Sequence, residues 1–199
     1  MLNPIECCCT DKFQYLVIHK NGCSSLLSTI TKNHPHAAND YVVYDRPLFA
    51  VLRDPWERTI SGIAYDIQRS FGYFEDSLLD KINIPRMLYQ PIPPLNKKQR
   101  QKGFISHICV QTAYLFDVNP TFYLMINDLS NFMQIHFKSD TIQHLNKSDT
   151  VLKKQVEDAI FNRQQLKNDI AKYLAIDYYL IERIRNTELL WDFSMGKMW

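Results

Sequence analysis

The sequence has no long uninterrupted apolar run, and its first residues lack the basic-then-apolar order of a secretory leader. A membrane-spanning helix and an exported chain are therefore not expected. An excess of one charge is missing too: 23 Lys and Arg stand against 21 Asp and Glu, a formal net charge of +2. That excludes a broad nucleic-acid-binding surface and makes any basic site a local one. Paired cysteine spacing is also absent. Five cysteines are present, Cys7, Cys8 and Cys9 in a row and Cys23 and Cys109 far apart, with no Cys-x-x-Cys pair. An odd number without framework spacing excludes a disulfide scaffold, and no metal-ligand cluster is visible. The expectation is a soluble, cytoplasmic protein with reduced thiols, its three consecutive cysteines in a frayed N-terminal lead-in. Internal repeats and low-complexity blocks are lacking as well.

What is present is the composition of a globular chain, 46% hydrophobic and 22% charged over 199 residues. That length fits a single domain, 1–199, with a core that needs no covalent staples. Residues 1–12 read as irregular. Residues 13–19 are nearly all apolar, as suits a strand buried on both faces. Helical spacing follows from Ser24 to about Thr31 and stops at Asn33-His34-Pro35. Residues 41–44 offer a short strand, and 48–52 are a second clear one. Asp54-Pro55-Trp56-Glu57 then opens a helix, with Asp54 as N-cap, Pro55 at the first position and Glu57 three after the cap. It extends to about Arg69 and puts Arg58, Ser61 and Tyr65 on one face.

Residues 70–102 change character. Pro85, Pro91, Pro93 and Pro94 interrupt regular structure, and Lys97, Lys98, Arg100 and Lys102 cluster at the end. The stretch reads as a lid or substrate loop, or as a solvated basic linker. Helical spacing returns over 104–116, and 121–126 form a third strand. A helix over 129–137 is capped by Asp128, and 142–149 are turn-like. Residues 152–187 are helical, with a break near Ala175-Ile176-Asp177. Strands alternating with helices predict an α/β fold with a central, mainly parallel sheet flanked by helices. Such sheets bind ligands beyond the carboxyl ends of their strands.

The first strand runs out into His19-Lys20-Asn21-Gly22-Cys23-Ser24-Ser25, in the order strand, tight turn, helix. Glycine lets the backbone approach a ligand, and a helix start offers N–H groups and the positive end of a dipole. Lys20, Ser24 and Ser25 add donors, which together suit a phosphate-like anion. An ordinary strand–helix turn with a serine cap has the same outline. The second strand ends in Arg53, so if the two strands are neighbours, Lys20 and Arg53 flank one place. A nucleoside-triphosphate loop, Gly-x-x-x-x-Gly-Lys-Ser/Thr, is not matched, because Lys20 precedes the glycine.

Together these segments resemble the nucleotide-binding signature of 3′-phosphoadenosine 5′-phosphosulfate (PAPS)-dependent sulfotransferases, most closely the carbohydrate (type 2) branch. His19-Lys20-Asn21-Gly22-Cys23-Ser24-Ser25 is similar to the 5′-phosphosulfate loop, Pro-Lys-x-Gly-x-Thr/Ser-Ser/Thr, with His19 at the proline position. Arg53-Asp54-Pro55-Trp56-Glu57-Arg58-Thr59-Ile60-Ser61 is similar to the 3′-phosphate motif, Arg-x-Pro-x-x-Arg-x-x-Ser. Three later stretches resemble the family more faintly. These are a His-x-x-x-Gln helix in 104–115, a nucleotide-side loop at His144-Leu145-Asn146-Lys147-Ser148, and a closing Tyr-x-x-Asp-Tyr segment in 173–184. Asn127 stands where relatives often carry a glutamate.

The resemblance implies a P-loop-like three-layer sandwich and an enzyme that moves a sulfonate from PAPS to an acceptor hydroxyl, expected on a carbohydrate. It implies donor binding by Lys20, Asn21, Gly22, Cys23, Ser24, Ser25, Arg53, Ser61 and Lys147, without a metal, and release of 3′-phosphoadenosine 5′-phosphate (PAP). Lys20 is also the expected catalytic group at the leaving phosphate oxygen. Arg58 is left as a phosphate contact or the partner of an acidic neighbour. His107 is the expected general base, with His144 and His19 as competitors. No nucleic-acid or membrane partner is expected, and a bacterial or viral enzyme suits the lack of a Golgi-type anchor. The alternatives are a non-catalytic nucleotide-binding module of the same fold, or a P-loop kinase.

Overall fold

The computed structural model describes residues 7–40, 45–82, 84, 88, 105–115, 118–138 and 149–191. The chain divides into two compact units. The first takes Met1–Arg53, Tyr114–Asn146 and Leu180–Trp199, and the second Asp54–Ala113 and Lys147–Tyr179. The strands are β1 (Cys7–Cys9), β2 (Gln14–Leu16), β3 (Ala38–Asp40), β4 (Leu48–Leu52) and β5 (Phe122–Met125). The described helices are α1 (Cys23–Asn33), α2 (Pro55–Phe71), α3 (Leu78–Lys81), α4 (Ile105–Ile108), α5 (Leu129–Phe137), α6 (Thr150–Phe161) and α7 (Gln164–Arg185).

All the described strands belong to the first unit, side by side in the order β3-β1-β2-β4-β5. β2 pairs parallel with β4, and β4 with β5. β1 is antiparallel to both β2 and β3. Every strand except β1 therefore points the same way, the mainly parallel α/β sheet that the alternation of elements predicts. β1 itself corrects the sequence reading. Residues 7–9 are not a frayed lead-in but an internal strand, with Cys7 and Cys8 at 0% and 1% exposure. Cysteine packs as a small hydrophobe, and three residues are too few for a strand period to show. No disulfide joins any of the five cysteines.

Burial of every residue over 13–18 matches the apolar run read there. The register stacks rings across the sheet: Tyr15 is opposite Phe49, and Phe49 opposite Phe122. Their centroids lie 5.2 and 5.3 Å apart, and Phe132 of α5 covers Phe49 at 5.2 Å. A slip of one residue would turn these rings to the other face, so the ladder pins the pairing. Leu26 and Ile30 of α1, with Phe132, Met133 and Trp191, complete this core. Past β5, the Tyr123 N–H donates to Leu189 and the Trp191 N–H to Tyr123, at 2.7 and 2.8 Å.

The second unit has its own core. Ile60, Ile63, Ala64 and Ile67 of α2 pack with Leu78 and Leu79 of α3, Val156 and Ile160 of α6, and Ile170 and Leu174 of α7. α2 starts as expected: the Asp54 carboxylate accepts the Glu57 N–H at 2.9 Å, and Pro55 sits in the first turn. Leu78, Leu79, Ile82, Ile84 and Leu88 are core residues, so the stretch read from 70 onward is anchored in this core from Leu78, after a mostly exposed turn over 72–77. Its basic end, Lys97, Lys98, Arg100 and Lys102, lies outside the described residues, as does the strand read at 41–44.

Two helical readings change. The single helix expected over 104–116 is α4 followed by a 3-10 turn, Gln111–Tyr114. The break expected near 175–177 is absent, and α7 runs through it. One contact explains both. Asp177, 1% exposed, accepts the Gln111 N–H at 2.7 Å and the Thr112 N–H and hydroxyl at 2.8 and 2.6 Å. The carboxylate caps the 3-10 turn and is itself satisfied inside the unit. At Leu129–Phe137 the helix is as expected, but Asp128 makes no side-chain cap. No described helix is long and apolar enough to cross a membrane.

Candidate functional site

Lys20 and Arg53 follow the carboxyl ends of β2 and β4, which are adjacent and parallel. Two hydrogen bonds tie the turn after β2 to the end of β4. Arg53 Nη1 donates to the Lys20 carbonyl at 3.2 Å, and Asn21 Nδ2 donates to the Val51 carbonyl at 2.6 Å. Asn21 is fully buried, and its backbone N–H turns back to the Ile18 carbonyl at 3.3 Å. These bonds hold the turn against the end of β4.

Lys20 has a φ of 67°, in the left-handed region. The other described non-glycine residue with positive φ, Lys138, closes α5, where that conformation is ordinary. No helix ends at Lys20. A side chain in this region costs about 1–2 kcal/mol, and such residues concentrate where function demands them. Gly22, at φ 75°, is the N-cap of α1, and a Cβ there would lie 2.9 Å from Leu129 Cδ2. Glycine is thus favoured by conformation, and a Cβ would also push on the tip of the Leu129 side chain. α1 begins without a side-chain cap and without an acidic residue in its first turn. The positive end of its dipole stands next to Lys20 with no acidic residue in the helix's own first turn. Cys23 and Ser24 are half-buried, while Ser25 is buried and its carbonyl accepts the Thr29 hydroxyl at 3.2 Å.

Ser61 and His107 belong to the second unit. The face shared by Arg58, Ser61 and Tyr65 is the inward face of α2: Arg58 is 1% and Ser61 3% exposed. Arg58 Nη1 donates to the Cys109 carbonyl. His107, on α4, places Nδ1 2.9 Å from Asp66 Oδ1 and meets the Tyr65 ring edge-on at 4.7 Å. His19 belongs to the first unit, where its ring meets Tyr114 at 6.2 Å. His144 and Lys147 lie outside the described residues.

The structure thus brings Arg53 to the Lys20–Gly22 turn in one unit, and sets Ser61 and His107 on or against α2 in the other. Of two acidic residues that matter locally, Asp66 was not singled out from the sequence, and Asp177 was read only as part of a helix break. Asp66 had a signal: it sits three after Ile63 and one before Ile67, an acid on the apolar stripe of α2. The capping role of Asp177 had none, since its partners are 65 and more positions away. Among the described residues, no group of three or more His, Cys, Asp or Glu is arranged to hold a metal ion. Compared with protein-family models, with curated proteins and with solved structures, the chain matches none.

Proposed function

We propose that the chain is a sulfotransferase that moves a sulfonate from PAPS to an acceptor hydroxyl, with a glycan as the expected acceptor. One observation carries the reading. Lys20, held in left-handed backbone, and Arg53 close two adjacent parallel strands, joined by the Arg53–Lys20 contact beside an α1 start that carries no acidic residue. A lysine, a guanidinium and a helix N-terminus converging on strand ends make a donor set for a ligand with separated anionic groups.

When bound, the donor would supply an activated sulfonate. The Lys20 ammonium supplies a point charge for the phosphate oxygen on which negative charge grows. Backbone N–H groups over 22–25, with the Ser24 and Ser25 hydroxyls, take the 5′-phosphate, and Asn21 keeps that turn against β4. The planar fork of Arg53 takes the 3′-phosphate. Ser61 at the same phosphate, Lys147 on the nucleotide and His107 as base are assignments from the resemblance, each tested by its own variant. A P-loop-like three-layer sandwich belongs to the same reading, supported by the parallel β2-β4-β5 order and by α1 following β2.

The test is calorimetry with PAP in the presence of a chelator. Wild type is expected to bind it, and Lys20→Ala and Arg53→Ala each to weaken binding by about 10–100-fold, the loss of one charge-assisted contact. A donor-dependent sulfation screen across glycans, lipids, phenols and small alcohols then identifies the acceptor. Tight ATP–Mg²⁺ binding with no preference for a 3′-phosphate would favour the kinase reading instead. PAP binding without transfer to any acceptor class would leave a nucleotide-binding module.

A further inference from the structure

One stripe of α2 is given over to a single short segment. Arg58 donates to the Cys109 carbonyl, and Gly62 leaves the space in which the His107 carbonyl sits, since a Cβ there would overlap it. Tyr65 packs edge-on against the His107 ring, and Asp66 holds its Nδ1 at 2.9 Å. Positions 58, 62, 65 and 66 fall at i, i+4, i+7 and i+8, one side of a helix. Backbone and ring of His107 are therefore both set by α2, a rigid element of 17 residues.

The exposures differ within the pair. The Asp66 side chain is 2% exposed and the His107 side chain 15%. A carboxylate oxygen at hydrogen-bond distance accepts, which calls for hydrogen on Nδ1 and, in the neutral ring, leaves the lone pair on Nε2. An imidazole left to itself favours the opposite tautomer, with hydrogen on Nε2. A buried acid on the apolar stripe of α2 is costly unless it is partnered, and this ring is a partner at hydrogen-bond distance.

We propose that Asp66 is a positioning residue for His107: it keeps hydrogen on Nδ1, makes Nε2 the proton acceptor, and steadies the imidazolium that forms. Only the source of that proton rests on the sulfotransferase reading. In that reaction the acceptor oxygen forms a bond to sulfur, and the sulfur's bond to the donor's bridging oxygen breaks. The electron pair leaves on the phosphate, and the hydroxyl proton goes to Nε2.

The experiment uses the full chain labelled with ¹⁵N-histidine, with His107→Gln to assign the ring signals. Long-range ¹H–¹⁵N spectra of wild type are expected to show His107 hydrogenated on Nδ1, and Asp66→Asn to move it toward the Nε2–H form. A wild-type ring with hydrogen on Nε2 overturns the assignment without any need for a folded variant, and so does a tautomer indifferent to Asp66→Asn in the folded variant. On a working acceptor, Asp66→Asn is expected to lower kcat by roughly 10–100-fold with the donor KM unchanged. An unchanged kcat also overturns it. If the Nδ1–H tautomer is present and responds to Asp66→Asn while no acceptor is sulfated, the Asp66–His107 assignment stands and the sulfotransferase reading fails.

Discussion

Burial pushes the Cys8 thiol up to about 11, with the neighbouring Cys9 adding to the shift. Tyr15, the first ring of the cross-strand stack, is also raised well above its ordinary value, chiefly by burial, then by Cys23, Cys8 and Cys7. Both groups keep their protons in the folded state at pH values where an unfolded chain has released them. The folded state then binds more protons than the unfolded one, so stability falls as pH rises. For Cys8 the loss runs from its ordinary value of 9.0 to about 11, and Tyr15 extends it upward. Urea midpoints are expected to drop across that window, and Cys8→Ala to flatten the drop. A midpoint unchanged from pH 9 to 11 in wild type would contradict it. At this scale the sequence was informative wherever a residue acts through its own backbone. Lys20 and Gly22 were legible because the turn they build is local. Asp66 and Gly62 matter through what lies across from them on another segment, and spacing along α2 does not name that segment.

Elements were legible where their signals are short-ranged and unopposed. The Asp54 cap with Pro55 in the first turn gave the start of α2 to the residue, because cap chemistry is complete within four positions. The apolar run over 13–18 is buried throughout, although the strand within it is only Gln14–Leu16, shorter than the run suggests. The two helical misreadings share one cause. An aspartate at 177 looks like a break because its side chain competes for nearby backbone N–H groups. In the fold that carboxylate is spent on Gln111 and Thr112, so α7 continues and the segment after α4 becomes a 3-10 turn. Asp177→Ala should therefore cost roughly 1–3 kcal/mol through the two orphaned N–H groups. Loss of hydrogen-exchange protection at Gln111 and Thr112, ahead of the rest of the second unit, is the expected signature. Retained protection at both amides would show that another group caps the turn.

At the scale of the whole molecule, the least expected feature is where the chain's first described residues go. β1 lies between β3 and β2 and pairs with both, so it completes two ladders rather than decorating an edge. Removing residues 1–10 would strand β3 from the sheet and leave the outer side of β2 without a partner. The truncated chain is expected to lose cooperative thermal unfolding by circular dichroism, whereas a frayed lead-in would be removable without effect. A truncated chain that melts like wild type would refute the topology's importance. The opposite contrast holds at the carboxyl ends of β2 and β4. Alternating strands and helices, a lysine before the only nearby glycine, and an arginine ahead of a capped helix are all local patterns, and by themselves they determined an α/β chain with basic residues at two strand ends. Whether those strands were neighbours was a question of pairing between residues more than thirty positions apart, which no local propensity encodes. The register of Tyr15, Phe49 and Phe122 decided it, and with it the contact of Arg53 with Lys20. Only the tertiary structure decided that Cys7–Cys9 is an internal strand, that Asp66 faces His107, and that each unit keeps a separate apolar core. The physical reason is the same in each case: period and capping act within a few residues, whereas burial and partnership are settled by segments distant in sequence that meet on folding.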